Sequence, residues 1–183
     1  MKRIAILLAG LGLALAETAQ ATAVTETSFT APDGTRTLQH EVVINAPVAI
    51  VWKAYTDTAE YRRWGAPVSA IDLRTGGSLE ASPDPSIKLG ERDTIRHRIV
   101  AYLPEKLIVF QNEHVPRMLP HGELLQQTVT IIRYEPLGPG RTRVILSSTG
   151  WKDAPEWNGL YRFFEGENAE TLAAMKTAYE GKK

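Results

Sequence analysis

Apolar residues return at helical spacing near the C-terminus. Trp157, Leu160, Tyr161, Phe164, Leu172, Met175 and Tyr179, with Thr171 beside them, gather on one side at about 100° per residue. Pro155 opens this helix, since its missing N–H costs nothing in a first turn, and the pattern carries it to about Tyr179. About 25 residues at 1.5 Å each span roughly 37 Å, so the helix is expected to lie along a sheet instead of capping one end. Asn168 breaks the stripe at its centre, where an apolar residue is the default.

Upstream the period shortens to two. From Arg36 the stretch RTLQHEVVIN reads as a strand ending near Asn45. Pro47 suits the first turn of a helix continued by VAIVWKAY, and Asp57 with Glu60 forms a capping pair that opens a second short helix, TAEYRRW. Short strands are predicted in VSAIDLR, SLEAS, TIRHRIVAY and KLIVFQNE, punctuated by Gly76-Gly77 and Pro104. VPRMLPHG, 115–122, is a Pro-rich loop. LLQQTVTIIRYE and RTRVILSSTGW, joined by PLGPG, give the strongest hairpin signal in the chain. Residues 24–35 are polar and read as a flexible leader. With no repeat or linker, 36–183 is expected to be one α+β domain.

Lys2 and Arg3, the apolar run IAILLAGLGLALA and the small residues to Ala23 have the layout of a secretory signal peptide, residues 1–23, with cleavage after Ala21 or Ala23. The apolar run is shorter than the roughly 20 residues a membrane-spanning helix needs. No other segment is apolar enough to span a bilayer, so a periplasmic or secreted protein is expected. The chain carries 21 basic and 21 acidic residues and no net charge, which argues against nucleic acid or an anionic membrane surface as partner. It has no Cys, hence neither a disulfide framework nor a thiolate site.

The order of motifs is similar to a known family. EVVINAPVAIVWKAYTDTAEYRRWGAP resembles the opening of the activator-of-heat-shock-protein-ATPase homologue branch of the START-like (SRPBCC) superfamily. DLRTGG at 72–77, RIVAYLPEKLIVF at 98–110 and VTIIRYEPLGPGRTRVILSSTGW at 129–151 are similar to its later units, so the resemblance covers about residues 37–180. It implies a helix-grip fold: a curved antiparallel sheet wrapped around a long C-terminal helix, with two short helices after the first strand. It also implies a cavity between helix and sheet for an apolar or amphipathic molecule. Members include lipid carriers, hormone binders, polyketide cyclases and aromatases, and a co-chaperone domain, so architecture follows better than activity. In this branch a Trp usually stands four residues before the Leu matched by Leu172. Here that position is Asn168.

A buried, unpaired amide costs roughly 1–3 kcal/mol, so Asn168 needs a partner: a ligand's polar group, or a protein group or fixed water. Phe164 and Leu172 flank it, and Phe110 and Ile131 on the sheet with Trp64 on the second short helix are taken as further ligand contacts. His97 shares a strand face with Ile95 and Ile99 and is read as a ligand contact or general base, or else as a satisfied core histidine. His40 reads as a surface residue, Trp52 as core, and Arg74 as structural, bonding nearby loop carbonyls. His114 and His121 bracket the Pro-rich loop without a zinc-ligand spacing, so no metal and no cofactor are expected. Ser147 and Ser148 lack a nucleophile-elbow pattern. The leading expectation is a module binding a small hydrophobic or amphipathic ligand. The rivals are a cyclase, aromatase or hydrolase-like enzyme with His97 as acid/base, and a co-chaperone-like interaction module whose protein partner the sequence does not name.

Overall fold

The computed structural model describes residues 23–117 and 119–180. The expected signal peptide and the Ala21 cleavage site lie outside them. The predicted long helix forms as α3 (Pro155–Glu180). Its buried residues are Trp157, Leu160, Leu172, Met175 and Tyr179, all on the stripe read from the sequence, whose Tyr161, Phe164 and Thr171 are half-buried. Asp57 caps α2 (Thr58–Trp64) by accepting the Glu60 N–H at 2.9 Å. α1 is only one turn, Val48–Val51, and tightens into a 3₁₀ turn over Trp52–Tyr55. These are the two short helices after the first long strand.

That strand is β3 (Arg36–Ile44). The expected loose leader instead clips onto it through β1 (Thr25–Glu26) and β2 (Phe29–Thr30). β4 (Val68–Ile71), β5 (Ser78–Ser82), β6 (Ile95–Leu103) and β7 (Leu107–His114) follow as hairpin-linked strands. The segment LLQQ, expected in the next strand, lies in a 3₁₀ turn, Gly122–Gln127. β8 starts at Val129 and ends at Pro136, and β9 is Thr142–Trp151. All pairs are antiparallel, in the order β1-β3-β9-β8-β7-β6-β5-β4 with β2 also on β3. The β3–β9 pair joins the two ends of the domain, and α3 lies across the inner face it completes.

Register shifts bend this open sheet around α3. They fall at Arg36/Thr37 on β3 and at Arg96/His97 and Ile99/Ala101 on β6, and such bulges increase local twist and re-aim side chains. Opposite the first, Gly150 has φ +99°, and a Cβ there would come within 2.7 Å of the Gln127 carbonyl oxygen. In the DLRTGG turn, Arg74 pairs with the Asp72 carboxylate at 2.8 Å instead of with loop carbonyls. His40, expected at the surface, is buried on the inner face of β3 in line with Leu38, Val42 and Ile44.

The far end of α3 is tied down on two sides. Lys176 donates to the Val43 carbonyl at 2.6 Å, Glu180 accepts the Asn45 N–H at 2.7 Å, and Arg63 on α2 donates to the Ala178 carbonyl at 3.1 Å. The apolar interior is divided. One core holds Leu79, Ile99, Phe110, Ile132, Leu146, Leu172 and Met175, among others, and a smaller one holds Leu38, Leu125, Trp151, Trp157 and Leu160.

Replacing Gly150 with Ala combines a left-handed backbone with a clash against Gln127, and is expected to lower stability by about 1–3 kcal/mol in urea unfolding. Gly140→Ala, at a turn with open space around it, is expected to change stability by less than about 0.5 kcal/mol.

Candidate ligand cavity

A cavity of about 190 Å³ lies where the two cores meet, under α3. Its apolar walls come from both sides: Leu79, Phe110, Ile132 and Leu146 from the larger core, Leu125, Trp151 and Phe164 from the smaller. Asn168 closes it from the helix. One turn before it Phe164 belongs to the smaller core, and one turn after it Leu172 belongs to the larger. An amide in the stripe therefore marks the place where the helix stops being packed against the sheet.

The sheet side carries a matching polar row. His97 faces Asn112 across β6 and β7, Phe110 faces Thr130 across β7 and β8, and Thr130 faces Ser148 across β8 and β9. His97, Asn112, Thr130 and Ser148 all line the cavity, as do Thr128 and Thr171. The strand residues continue inward rows that are apolar further along, with Ile132 two residues after Thr130 and Leu146 two before Ser148. Among the described residues, no carboxylate, amine or guanidinium lines this space.

Some of these polar atoms are satisfied and some are not. Thr128 donates to the Leu125 carbonyl at 2.8 Å and Asn112 to the same oxygen at 3.3 Å. His97 Nδ1 and the Trp151 indole N–H are buried without a partner among the described residues. The half-buried Asn168 carboxamide likewise has none. Burial pushes the His97 pKa down to about 4, with the Asn112 side chain opposing in part, so the imidazole is neutral near pH 7. Burial also drives the Tyr55 hydroxyl well up and the Tyr61 hydroxyl up to about 12. The cavity thus offers neutral donors and acceptors, and its groups titrate far from neutrality.

The structure brings Asn168, His97, Phe110 and Phe164 together on this cavity. Trp64 is not among its walls. It lines a second, more open lobe of about 270 Å³ with Tyr55, Tyr61, Glu167 and Glu170, while its indole N–H donates to the Ala54 carbonyl at 3.1 Å. Tyr55, Tyr61 and Thr171 are shared by both lobes, so Trp64 stands beside the inner lobe and not in it. Leu172 is wholly inside the larger core and does not reach the cavity. Ile131 points to the other face of the sheet, because the inward positions of β8 are Thr130, Ile132 and Tyr134. The sequence reading missed Asn112, Thr130, Ser148, Thr171 and the two tyrosines. The signal for the strand residues was strand parity, counted outward from Phe110, Ile132 and Leu146.

The two histidines that bracket the Pro-rich loop lie outside the cavity. His114 Nε2 is 2.7 Å from the Arg92 carbonyl oxygen, and His121 occupies a left-handed turn at φ 59°. Among the described residues no three His, Asp or Glu side chains converge to hold a metal ion. No helix among them is long and apolar enough to cross a membrane.

Comparison with known proteins agrees with this architecture. The family described as polyketide cyclase/dehydrase and lipid transport matches residues 35–180. No curated protein matches the sequence. Among solved structures, protein MLL2253 from Mesorhizobium loti is similar at TM-score 0.64 and 16% identity, covering 81% of this chain and 99% of that one. Aha1 from Colwellia psychrerythraea, solved as a dimer, gives TM-score 0.62 and 17% identity over 80% of this chain and 98% of that one. CalU16 from Micromonospora echinospora gives 0.61 and 20% over 90% and 87%. At such identities the likeness shows the shared fold.

The depressed pKa of His97 sets a pH dependence. Between about pH 6.5 and about pH 4 the unfolded chain binds a proton at this histidine and the folded chain does not, so stability holds above that window and falls as pH drops through it. His40, also lowered by burial, acts in the same direction. The His97 share is the difference between wild type and His97→Asn, whose stability is expected to fall less steeply across that window in denaturant titrations at stepped pH.

Proposed function

The chain belongs to the polyketide cyclase/dehydrase and lipid transport family, within the START-like superfamily, and from that membership we propose that it binds one small amphipathic molecule under α3. The observation that carries the reading is the uncharged cavity at the junction of two cores, ringed by polar atoms that lack protein partners. Buried polar groups are nearly always hydrogen-bonded, so His97 Nδ1 and the Trp151 N–H point to something that bonds them, and the half-buried Asn168 amide stands beside them. Apolar cavities of about 150 Å³ take benzene-sized molecules, so the inner lobe suits a ring bearing hydroxyl or carbonyl groups. Asn168 and His97 would set its orientation, and Phe110 and Phe164 would cover its apolar part.

A binding role fits these groups better than acid–base catalysis. A general acid or base works best with a pKa near the ambient pH. His97 titrates at about 4 and Tyr61 at about 12, which leaves both as fixed hydrogen-bonding groups near neutrality. Neither nucleic acid nor protein is required as a partner for this role. The basic and apolar N-terminus supports export to the periplasm or medium. Intact-mass analysis of the protein secreted or recovered from the periplasm is expected to show loss of residues 1–21 or 1–23, and retention of the full N-terminus in the cytoplasm would refute export.

Para-cresol, followed by chemical-shift changes at His97, Asn112 and Asn168, is the direct probe. Fragment-sized ligands contribute at most about 1.5 kcal/mol per heavy atom, and saturable binding in the millimolar range or tighter is expected. Asn168→Leu is expected to weaken binding by about tenfold while stability holds or rises by up to about 1 kcal/mol, since an unpartnered amide is replaced by apolar volume. No saturable binding, or a loss of stability that parallels any loss of binding, would overturn the reading.

A further inference from the structure

The two lobes differ in charge, and that difference specifies the ligand further, given the binding role proposed above. The inner lobe has neutral walls. The outer lobe is bounded by the rings of Tyr55, Tyr61 and Trp64 and by the carboxylates of Glu167 and Glu170. Trp64 stands nearly perpendicular to both tyrosines, with ring centroids 5.2 Å from Tyr55 and 5.7 Å from Tyr61, so the three rings form an angular aromatic wall. No basic residue lines this lobe among the described residues. The nearest helix, α2, carries two arginines, and both are held elsewhere. Arg62 donates to the Ser69 carbonyl at 2.6 and 2.9 Å, and Arg63 is shared between Glu60 and the Ala178 carbonyl.

Aromatic walls backed by carboxylates attract an organic cation, because ring faces carry negative potential and the carboxylates add formal charge. The same surroundings repel an anion. We propose that the outer lobe is a subsite for an alkylammonium group. The ligand then has a neutral, hydrogen-bonding ring at Asn168 and His97, and a protonated amine near Trp64, Glu167 and Glu170. Thr171 and the two tyrosines, which border both lobes, would contact the short linker between those ends.

Three probes that share a para-hydroxyphenyl ring on a two-carbon chain separate the outcomes: tyramine, its neutral alcohol counterpart tyrosol, and the bulkier para-hydroxyphenylpropionate, which is an anion. Calorimetric titration of the full chain at neutral pH and low salt is expected to rank tyramine about fivefold or more tighter than tyrosol, with the anion weakest. Added salt is expected to shrink the gap between tyramine and tyrosol. The double variant Glu167→Gln, Glu170→Gln alters two exposed side chains and is expected to reduce the tyramine-to-tyrosol ratio by at least half, leaving the share of the ring faces. Equal affinities in the wild type, or a ratio unchanged in the double variant, would overturn the ammonium subsite and leave the ligand cavity standing. Failure of tyrosol and para-cresol alike to bind would overturn both.

Discussion

A long amphipathic helix clasped by a bent sheet should bury its stripe without interruption, and here the stripe is interrupted by one amide. Asn168 lies between Phe164, which packs with Trp151 at a ring separation of 5.9 Å, and Leu172, which is 1% exposed. Those two neighbours belong to different apolar clusters. A Leu or an aromatic residue at 168 would join them into one core. The carboxamide keeps them apart, because filling the gap with apolar side chains alone would bury its donors and acceptor unpaired. The cavity follows from that single constraint, and the sheet accommodates it with a row of small polar residues in place of large apolar ones.

Strand alternation places the rest of the site, and the bulges lie at its borders. The register shift at Arg96/His97 sits at the cavity wall, and the second shift, at Ile99/Ala101, reverses the parity of β6 so that Tyr102 packs inward beyond it. His97 keeps the alternation of Ile95 and Ile99 and so lies under the helix, 5.9 Å from the Phe110 ring. Burial there removes its charge and leaves a neutral ring with one donor and one acceptor. Such a group can meet a hydroxyl or a carbonyl equally well. Among the described residues, formal charge stands on the walls of the outer lobe, at Glu167 and Glu170, and not on those of the inner one.

Much of this was legible in the residues. The helical stripe with its misplaced amide, the Asp57–Glu60 cap and the final hairpin all rest on local patterns that tertiary contacts leave unchanged. The inward direction of His97 followed from Ile95 and Ile99 on the same strand. Ile131 failed because two adjacent isoleucines leave the parity of β8 ambiguous until Arg133 and Tyr134 are counted, one outward and one inward. His40 failed for a related reason: its neighbours Leu38, Val42 and Ile44 mark its face as the buried one, but a titratable residue invites a surface assignment. LLQQ turns because Gly122 and the hydrogen bond from Thr128 to Leu125 stop the strand before Val129. The short strands of the leader were not legible, since two-residue ladders depend on the exposed edge of β3 and not on their own pattern.

The unpartnered groups also bear on why such a site persists. Each buried donor or acceptor left without a bond costs about 1–3 kcal/mol, against a total stability of roughly 5–15 kcal/mol for a domain. His97 Nδ1 and the Trp151 N–H are therefore a sizeable burden on the empty protein. A molecule that satisfies them binds only the folded chain, and it adds stability in proportion to the logarithm of its concentration over its dissociation constant. Under the proposed binding role, the polar atoms that weaken the fold would also orient the guest, so substitutions that strengthen this core would be those that remove its selectivity.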